Sequence, residues 1–341
     1  MTIQATINRL IERENLSVEE MRDAMSCIMT GKATDAQIAG FLVALRMKGE
    51  TVDEIVAAAE VMRGLSNKVE INAPKTLDTC GTGGDGSGIF NVSTASAFIA
   101  AAAGAKVAKH GNRSNSSSSG SADVLEAAGV NLDLTPEQVA RAIDTVGLGF
   151  MFAVKHHGAM KYAIGPRREL AVRTIFNVLG PLTNPAGSKY QVLGVYDKAL
   201  VLPLAEVLKK LGSHHVLVVH SDDGLDEFSI ASSSYVAELK QGEISTYQVT
   251  PEQFGLRRCD LSGLVVNSAA ESLALIKKAL ADVECDAAQM LAFNAGAAIY
   301  AADLTATFEQ GVALAQDVIS SGQALEKFNE FIDFTQMVAK A

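Results

Sequence analysis

The 341-residue sequence predicts an α/β protein, with a small all-helical N-terminal domain and a larger α/β domain whose mainly parallel central sheet is flanked by helices. Three observations lead to this. Up to about residue 66, apolar residues recur with the helical period and the runs open at capping boxes. From Ile71 onward, short β-branched runs alternate with Ala-rich stretches, which is the pattern of βαβ units. Glycine-rich tracts stand where strands should hand over to helices, at 81–88 and 109–121.

In order, Ile3, Ile7, Leu10 and Ile11 predict the apolar face of a first helix. Three more helices open at Ser17/Glu20, Thr34/Gln37 and Thr51/Glu54, where a hydroxyl and an acid or amide can satisfy each other's backbone donors. Met21, Met25, Ile28 and Met29, then Phe41, Leu42 and Leu45, then Val56, Val61 and Met62 give their buried stripes. Strands are predicted at 75–79, 105–109, 149–153, 190–195 and 214–219, separated by helices at 94–103, 121–128, 136–146 and 200–211. The helix at 136 carries both a Thr135/Gln138 box and a proline at its first position. Residues 156–184 are less regular, with a helical stretch Tyr162–Arg173, and are expected to return to the N-terminal domain. Tyr235–Lys240 and Glu243–Gln248 flank Gln241-Gly242 as a hairpin adding an antiparallel edge. Amphipathic helices at 268–280, 286–302, 307–320 and 324–339 should cover the sheet. The expected division is therefore 1–70, joined by part of about 160–188, and 71–341.

Composition narrows the function. A hydrophobic content of 48% and mean hydropathy of +0.17 are ample for a core. A formal net charge of −10 disfavours nucleic acid or an anionic membrane as partner, because phosphate backbones need a basic surface. Cys27, Cys80, Cys259 and Cys285 are scattered without a C-x-x-C pair, so no zinc site or disulfide framework is indicated. No apolar run approaches the ~18 residues of a membrane span. The amphipathic start lacks a signal peptide's core, so a cytoplasmic location is expected.

The tracts Asp78-Thr-Cys-Gly-Thr-Gly-Gly-Asp-Gly86 and Lys109-His-Gly-Asn-Arg-Ser-Asn-Ser-Ser-Ser-Ser-Gly-Ser121 read as phosphate cradles. Glycine lets backbone N–H groups approach an anion, and a helix N-terminus favours negative charge. A flexible surface turn is the competing reading of either tract alone. Two such tracts joined by one helix and one strand point instead to a ligand with two separated phosphate groups. Beyond the strand at 214–219, Ser221-Asp-Asp-Gly-Leu-Asp-Glu227 puts four carboxylates at a strand's carboxyl end, as a solvated acidic loop or a cation site.

Together with Asn91-Val-Ser-Thr94, Gly120-Ser-Ala-Asp-Val-Leu-Glu126 and Phe176-Asn-Val-Leu-Gly-Pro-Leu-Thr-Asn-Pro185, these motifs make the chain resemble the anthranilate phosphoribosyltransferases over nearly its whole length. The resemblance implies transfer of a 5-phosphoribosyl group from phosphoribosyl pyrophosphate to the amine of anthranilate, the second step of tryptophan biosynthesis from chorismate. It implies a magnesium-dependent homodimer with two ions per subunit. It implies that Gly81, Gly84, Asp85, Asn91, Ser93, Thr94, Lys109, Asn112, Ser117 and Ser121 bind the donor, and that Gly81, Asn112 and Arg167 bind anthranilate. Ser93, Asp226 and Glu227 are implied as metal ligands, and His110 and Arg113 as catalytic residues. On the residues alone, Ser93 equally serves as a helix cap, His110 as a backbone-bonded loop histidine, and Arg168 as an alternative to Arg167. The family often has Thr at Ile89, and Val and a basic residue at Asn115 and Ser118, so donor binding is expected to be weaker here. A nucleoside phosphorylase on the same scaffold shares the glycine loop but not the 176–185 motif. A non-catalytic, nucleic-acid-binding member is disfavoured by the acidic balance and by Asp226-Glu227.

Overall fold

The computed structural model describes residues 2–114 and 119–339. Helices α1 (Ile3–Ile11), α2 (Val18–Met29), α3 (Asp35–Lys48) and α4 (Val52–Leu65) form the N-terminal unit. All three predicted capping boxes close reciprocally at α2, α3 and α4. Met21, Met25, Ile28, Phe41 and Leu45 are fully buried between these helices, as their spacing requires. Ile11 departs from expectation and is 62% exposed. At about 100° per residue, Ile3, Ile7 and Leu10 fall on one stripe while Ile11 lies about 80° from Ile3. Where the unit's elements converge, Glu54 is wholly buried and accepts from Lys48 Nζ (2.8 Å), Leu16 N (2.9 Å) and Thr51 N (2.8 Å).

The remaining elements are β1 (Leu77–Gly81), α5 (Val92–Ala102), β2 (Val107–Gly111), α6 (Ser121–Ala127), α7 (Pro136–Val146), β3 (Leu148–Phe152) and α8 (Ala153–His156). After them come α9 (Lys161–Leu170), α10 (Phe176–Leu179), β4 (Tyr190–Gly194), α11 (Val201–Lys210), β5 (His215–Ser221), β6 (Ser234–Lys240) and β7 (Glu243–Val249). Helices α12 (Ala269–Ala279), α13 (Asp286–Ala301), α14 (Phe308–Ser320) and α15 (Gln323–Val338) finish the chain. The sheet order is β3-β2-β1-β4-β5-β6-β7, parallel through β5 and antiparallel from β5 to β7.

β1 begins two residues later than its local sequence suggests. It pairs with β4 from Leu77↔Tyr190 to Gly81↔Gly194, so partnership rather than propensity sets its ends. One face of the sheet is covered by α5, α13, α14 and α15, with Phe98, Phe293, Phe328 and Phe331 buried in that layer. On the other face, Leu193, Val195, Val216 and Val218 share a core with Leu204 and Leu208 of α11 and with the N-terminal helices. Helix α9 packs on α2 and α3, and α10 on α4. Between β1 and β4 the strand order reverses, and the carboxyl ends of strands at such a switch point form the usual ligand crevice of an open α/β sheet. Among the described residues, no helix is long and apolar enough to cross a membrane.

Candidate active site

β1 runs into the glycine loop, where Gly83, Gly84, Gly86 and Gly88 take φ of 63°, 79°, 76° and 66°, conformations in which a side chain would be strained. The loop leans on the acidic segment after β5, with Gly83 N–H donating to Asp226 Oδ2 at 2.8 Å. Space for this contact comes from two strand-end glycines. A Cβ at Gly81 would stand 2.4 Å from Asp226 Oδ2, and one at Gly194 would stand 1.5 Å from the Asp226 carbonyl oxygen. Gly194 is not among the site residues expected from sequence, although it lies within a predicted strand and ends β4.

The four carboxylates divide into two pairs. Asp222 and Asp223 are exposed, Asp222 accepting from Lys198 at 3.4 Å and Asp223 from the Ser229 hydroxyl at 2.5 Å. Asp226 and Glu227 are partly buried and turn inward. Glu227 Oε1 accepts from Ser93 N–H at 3.2 Å, so Ser93 stands one residue inside α5 and is not its cap. Burial, with the charge of Asp85, pushes the Asp226 carboxyl up to about 7. Glu227 is likewise held well above the usual carboxylate range, by burial and then by the charge of Asp226. Behind Glu227 is a cavity of about 10 Å³, lined in part by Thr79, Ser96 and Asn294, and the Ser96 hydroxyl has no partner among the described residues.

This donor set suits Mg²⁺, which takes one or two carboxylates together with water and substrate phosphate in place of an all-protein cage. Among the described residues there is no group of three His, Cys, Asp or Glu that would make such a cage. Two under-neutralised carboxylates beside a hydroxyl fit the ion.

β2 supplies the second side. Lys109 is buried, and its ammonium donates to the Thr79 carbonyl and to Ser93 Oγ (3.4 Å), while burial lowers its basicity. His110 N–H donates to Asp78 Oδ1 at 3.0 Å, and Asn184 Nδ2 donates to Asp78 Oδ2 at 2.7 Å. The His110 imidazole is held far below its ordinary range by burial and then by His157, whose ring centroid is 5.0 Å away. It is therefore neutral, and its Nε2 has no partner among the described residues. Thr94 is likewise buried with an unpartnered hydroxyl.

Asn91 ties the two tracts together. Its Nδ2 donates to the Ser119 carbonyl at 3.2 Å, and its Oδ1 accepts from the hydroxyls of Ser119 (2.9 Å) and Ser272 (2.8 Å). Ser272 lies in a helix whose sequence carries no local sign of this role. Asp85 is satisfied within its loop by Ser87 N–H (3.2 Å) and Ser87 Oγ (2.7 Å). The Asn112 carbonyl accepts from Ser121 Oγ at 3.2 Å. Asp123 accepts from the N–H groups of Ser114 (3.0 Å) and Gly120 (2.8 Å), closing the base of the second loop. Arg113 points outward and pairs with Asp123 (2.9 Å) and Glu126 (2.7 Å), an arrangement that braces α6. Ser117 lies outside the described residues, as do Asn115 and Ser118.

The two neighbouring arginines of α9 are distinguished. Arg167 is half-buried, its guanidinium 5.2 Å from the Phe176 ring centroid, and it pairs with no carboxylate among the described residues. Arg168 is exposed. From Phe176, α10 leads to Gly180, whose backbone meets the His110 imidazole, so the Arg167 cation and the neutral histidine border the same segment.

Known proteins share this architecture. Residues 4–66 match the model of the glycosyl transferase family helical bundle domain, and residues 73–325 that of the glycosyl transferase family a/b domain. The anthranilate phosphoribosyltransferase of Hahella chejuensis is 61% identical over 339 residues, covering 98% of each chain. The crystal structure of the Thermus thermophilus enzyme of that name superposes with a TM-score of 0.92 at 42% identity, covering 97% of this chain and 99% of that one. The Saccharomyces cerevisiae enzyme, solved in complex with PRPP and Mg, superposes with a TM-score of 0.89 at 26% identity over 98% of both chains. In complex with 4-fluoroanthranilate the yeast enzyme superposes at 0.88 and 25%, again over 98% of both.

Proposed function

The chain belongs to the anthranilate phosphoribosyltransferase family, and from that premise we propose how its own residues carry the reaction. The enzyme transfers the 5-phosphoribosyl group from phosphoribosyl pyrophosphate to the amine of anthranilate, giving N-(5-phosphoribosyl)anthranilate and pyrophosphate in tryptophan biosynthesis. The observation that carries the residue assignment is the convergence of the glycine loop, Ser93, Lys109, Asp226 and Glu227 on the switch point of the sheet.

In this reading Gly81, Gly84, Asp85, Asn91, Ser93, Thr94, Lys109, Asn112, Ser117 and Ser121 hold the donor. Backbone N–H groups and hydroxyls take its phosphates, while Asn91 keeps the two cradles in register. Asp226 and Glu227, with Ser93, would hold magnesium, two ions per subunit. When bound, Mg²⁺ neutralises charge that develops on the departing pyrophosphate. Displacement at the anomeric carbon passes through a loose, oxocarbenium-like transition state. Anthranilate's aryl amine is neutral near pH 7, so it needs positioning more than a strong base. Arg167 takes the carboxylate in two parallel hydrogen bonds, with Asn112 and Gly81 beside the ring. Neutral His110 orients the amine and accepts its hydrogen bond through Nε2. Arg113 acts as a positioning residue through Asp123 and Glu126.

We also propose that the chain divides near residue 70, with part of about 160–188 joining the first domain, and that this helical domain forms a homodimer interface. The packing of α9 on α2 and α3 supports the division. Exposed apolar side chains on these helices, among them Met47, Ile11 and Ile164, support the interface. Four free cysteines suit a cytoplasmic location. The test is loss of anthranilate fluorescence that requires both phosphoribosyl pyrophosphate and Mg²⁺ and releases one pyrophosphate per anthranilate. Phosphate-dependent nucleoside cleavage without anthranilate consumption would refute the reading.

A further inference from the structure

Arg173 stands where the segment leaving α9 meets the glycine loop. Helix α9 is closed by Ala171 at a φ of 51°, after which Val172 and Arg173 are exposed and Thr174 opens the turn into α10. Although exposed, the Arg173 side chain folds back onto the loop. Its guanidinium carbon is 4.1 Å from the Tyr196 ring centroid, and its Nη2 donates to the Gly84 carbonyl. Tyr196 is itself fixed to the base of the loop, its N–H donating to Thr82 Oγ1 at 3.1 Å. A Cβ at Gly84 would stand 3.6 Å from Arg173 Nη2, so the guanidinium lies directly on the loop.

The charges around this contact are unbalanced. Asp85, Asp226 and Glu227 border the loop, while Lys109 is buried beneath β1 and already donates to Thr79 and Ser93. Arg173 pairs with no carboxylate among the described residues, and one of the guanidinium's five N–H donors is engaged at Gly84. A guanidinium pre-oriented by an aromatic face, next to a backbone anion cradle and with donors to spare, is the geometry that recognises a phosphate oxygen.

We propose that Arg173 is a donor-recognition residue: its remaining N–H groups take the diphosphate end of the substrate at the glycine loop, while its bond to Gly84 holds the loop in its binding shape. This rests on the reading of the loop as the donor site. It also separates the two arginines, with Arg167 reading the acceptor's carboxylate and Arg173, six positions on, reading the leaving group.

The experiment compares wild type, Arg173→Ala and Arg173→Lys, by calorimetric titration with magnesium diphosphate and by steady-state kinetics in both substrates, with melting temperature recorded for each. Arg173→Ala should weaken diphosphate binding and raise the donor KM about tenfold or more, the loss of a charge-assisted pair, with the anthranilate KM moving less than about threefold. Arg173→Lys should recover part of the donor affinity, because it keeps the charge and loses the fork. The inference is overturned if Arg173→Ala binds diphosphate within about twofold of wild type. It is equally overturned if both variants lose donor and acceptor affinity together with a fall in melting temperature, the mark of a purely structural role. Wild-type protein that fails to bind magnesium diphosphate would instead overturn the donor-site reading itself.

Discussion

Replacing Arg167 with alanine should separate acceptor recognition from donor recognition. The half-buried guanidinium covers the Phe176 ring, and burial lowers its basicity, which is the condition of a desolvated cation awaiting an anion. A hydrogen bond to a charged group contributes roughly 1.5–3 kcal/mol, so losing the pair with the anthranilate carboxylate should raise the acceptor KM roughly 10- to 150-fold. Uncovering Phe176 removes a cation–π contact worth about 0.5–1 kcal/mol, a small stability loss that thermal melting would register separately. Arg168→Ala removes an exposed charge, and its effect should stay within about ±0.5 kcal/mol, or about twofold. The assay follows anthranilate fluorescence at saturating donor and then varies the donor at saturating anthranilate. Equal sensitivity of the two variants, or a loss confined to the donor KM, would refute the reasoning.

Asp226→Asn combined with Glu227→Gln should leave the fold intact while abolishing both magnesium-dependent turnover and the rise in melting temperature on adding Mg²⁺; the exposed pair Asp222→Asn with Asp223→Asn should do far less. Removing one partner of the buried Lys48–Glu54 pair, as in Lys48→Met, should cost about 3–5 kcal/mol in urea denaturation, because an unpaired charge would be left beneath three elements. His157 is held by burial to about 4, below its ordinary 6.5, so between these values the unfolded chain binds the extra proton and stability rises with pH. Its contribution is fully present above 6.5 and is lost as pH falls toward 4, on the order of 3 kcal/mol in all, and His157→Gln should flatten that part of the profile by the same amount. An unchanged slope in that variant would mean that His157 stays solvated.

The readable parts of the chain were those decided within a few residues. The boxes at Ser17, Thr34, Thr51 and Thr135 form within one helical turn, and each helix starts where its box predicts. The acidic loop could be located, because it follows a strand, but its spacing alone did not resolve it into its pairs, and only the family resemblance selected Asp226 and Glu227. Asp222 and Asp223 differ from Asp226 and Glu227 only in which side of the turn faces the glycine loop, and that depends on β1 and β4 being neighbours. The two arginines present the same problem on a helix. Adjacent residues project about 100° apart, so one must face Phe176 while the other faces water, and the sequence does not carry the phase.

What escaped the sequence is mostly long-range. Ser272 meets Asn91 from 181 residues away, and Gly194 is needed only because the Asp226 carbonyl crosses the end of β4. These contacts share one cause. Placing β4 next to β1 brings the glycine loop, the acidic loop and the segment after α9 to the same edge, so the residues that must be small or polar there are selected by neighbours rather than by their own strand or helix. The same placement explains how a chain of net charge −10 can serve a polyanionic substrate. Its few cations at the crevice are individually positioned, Lys109 beneath β1, Arg167 on Phe176 and Arg173 on Tyr196, while the floor is acidic. Such a site gains little from a diffuse positive field and much from a cation that enters with its ligand, so affinity for free donor should be weak and should increase steeply with Mg²⁺.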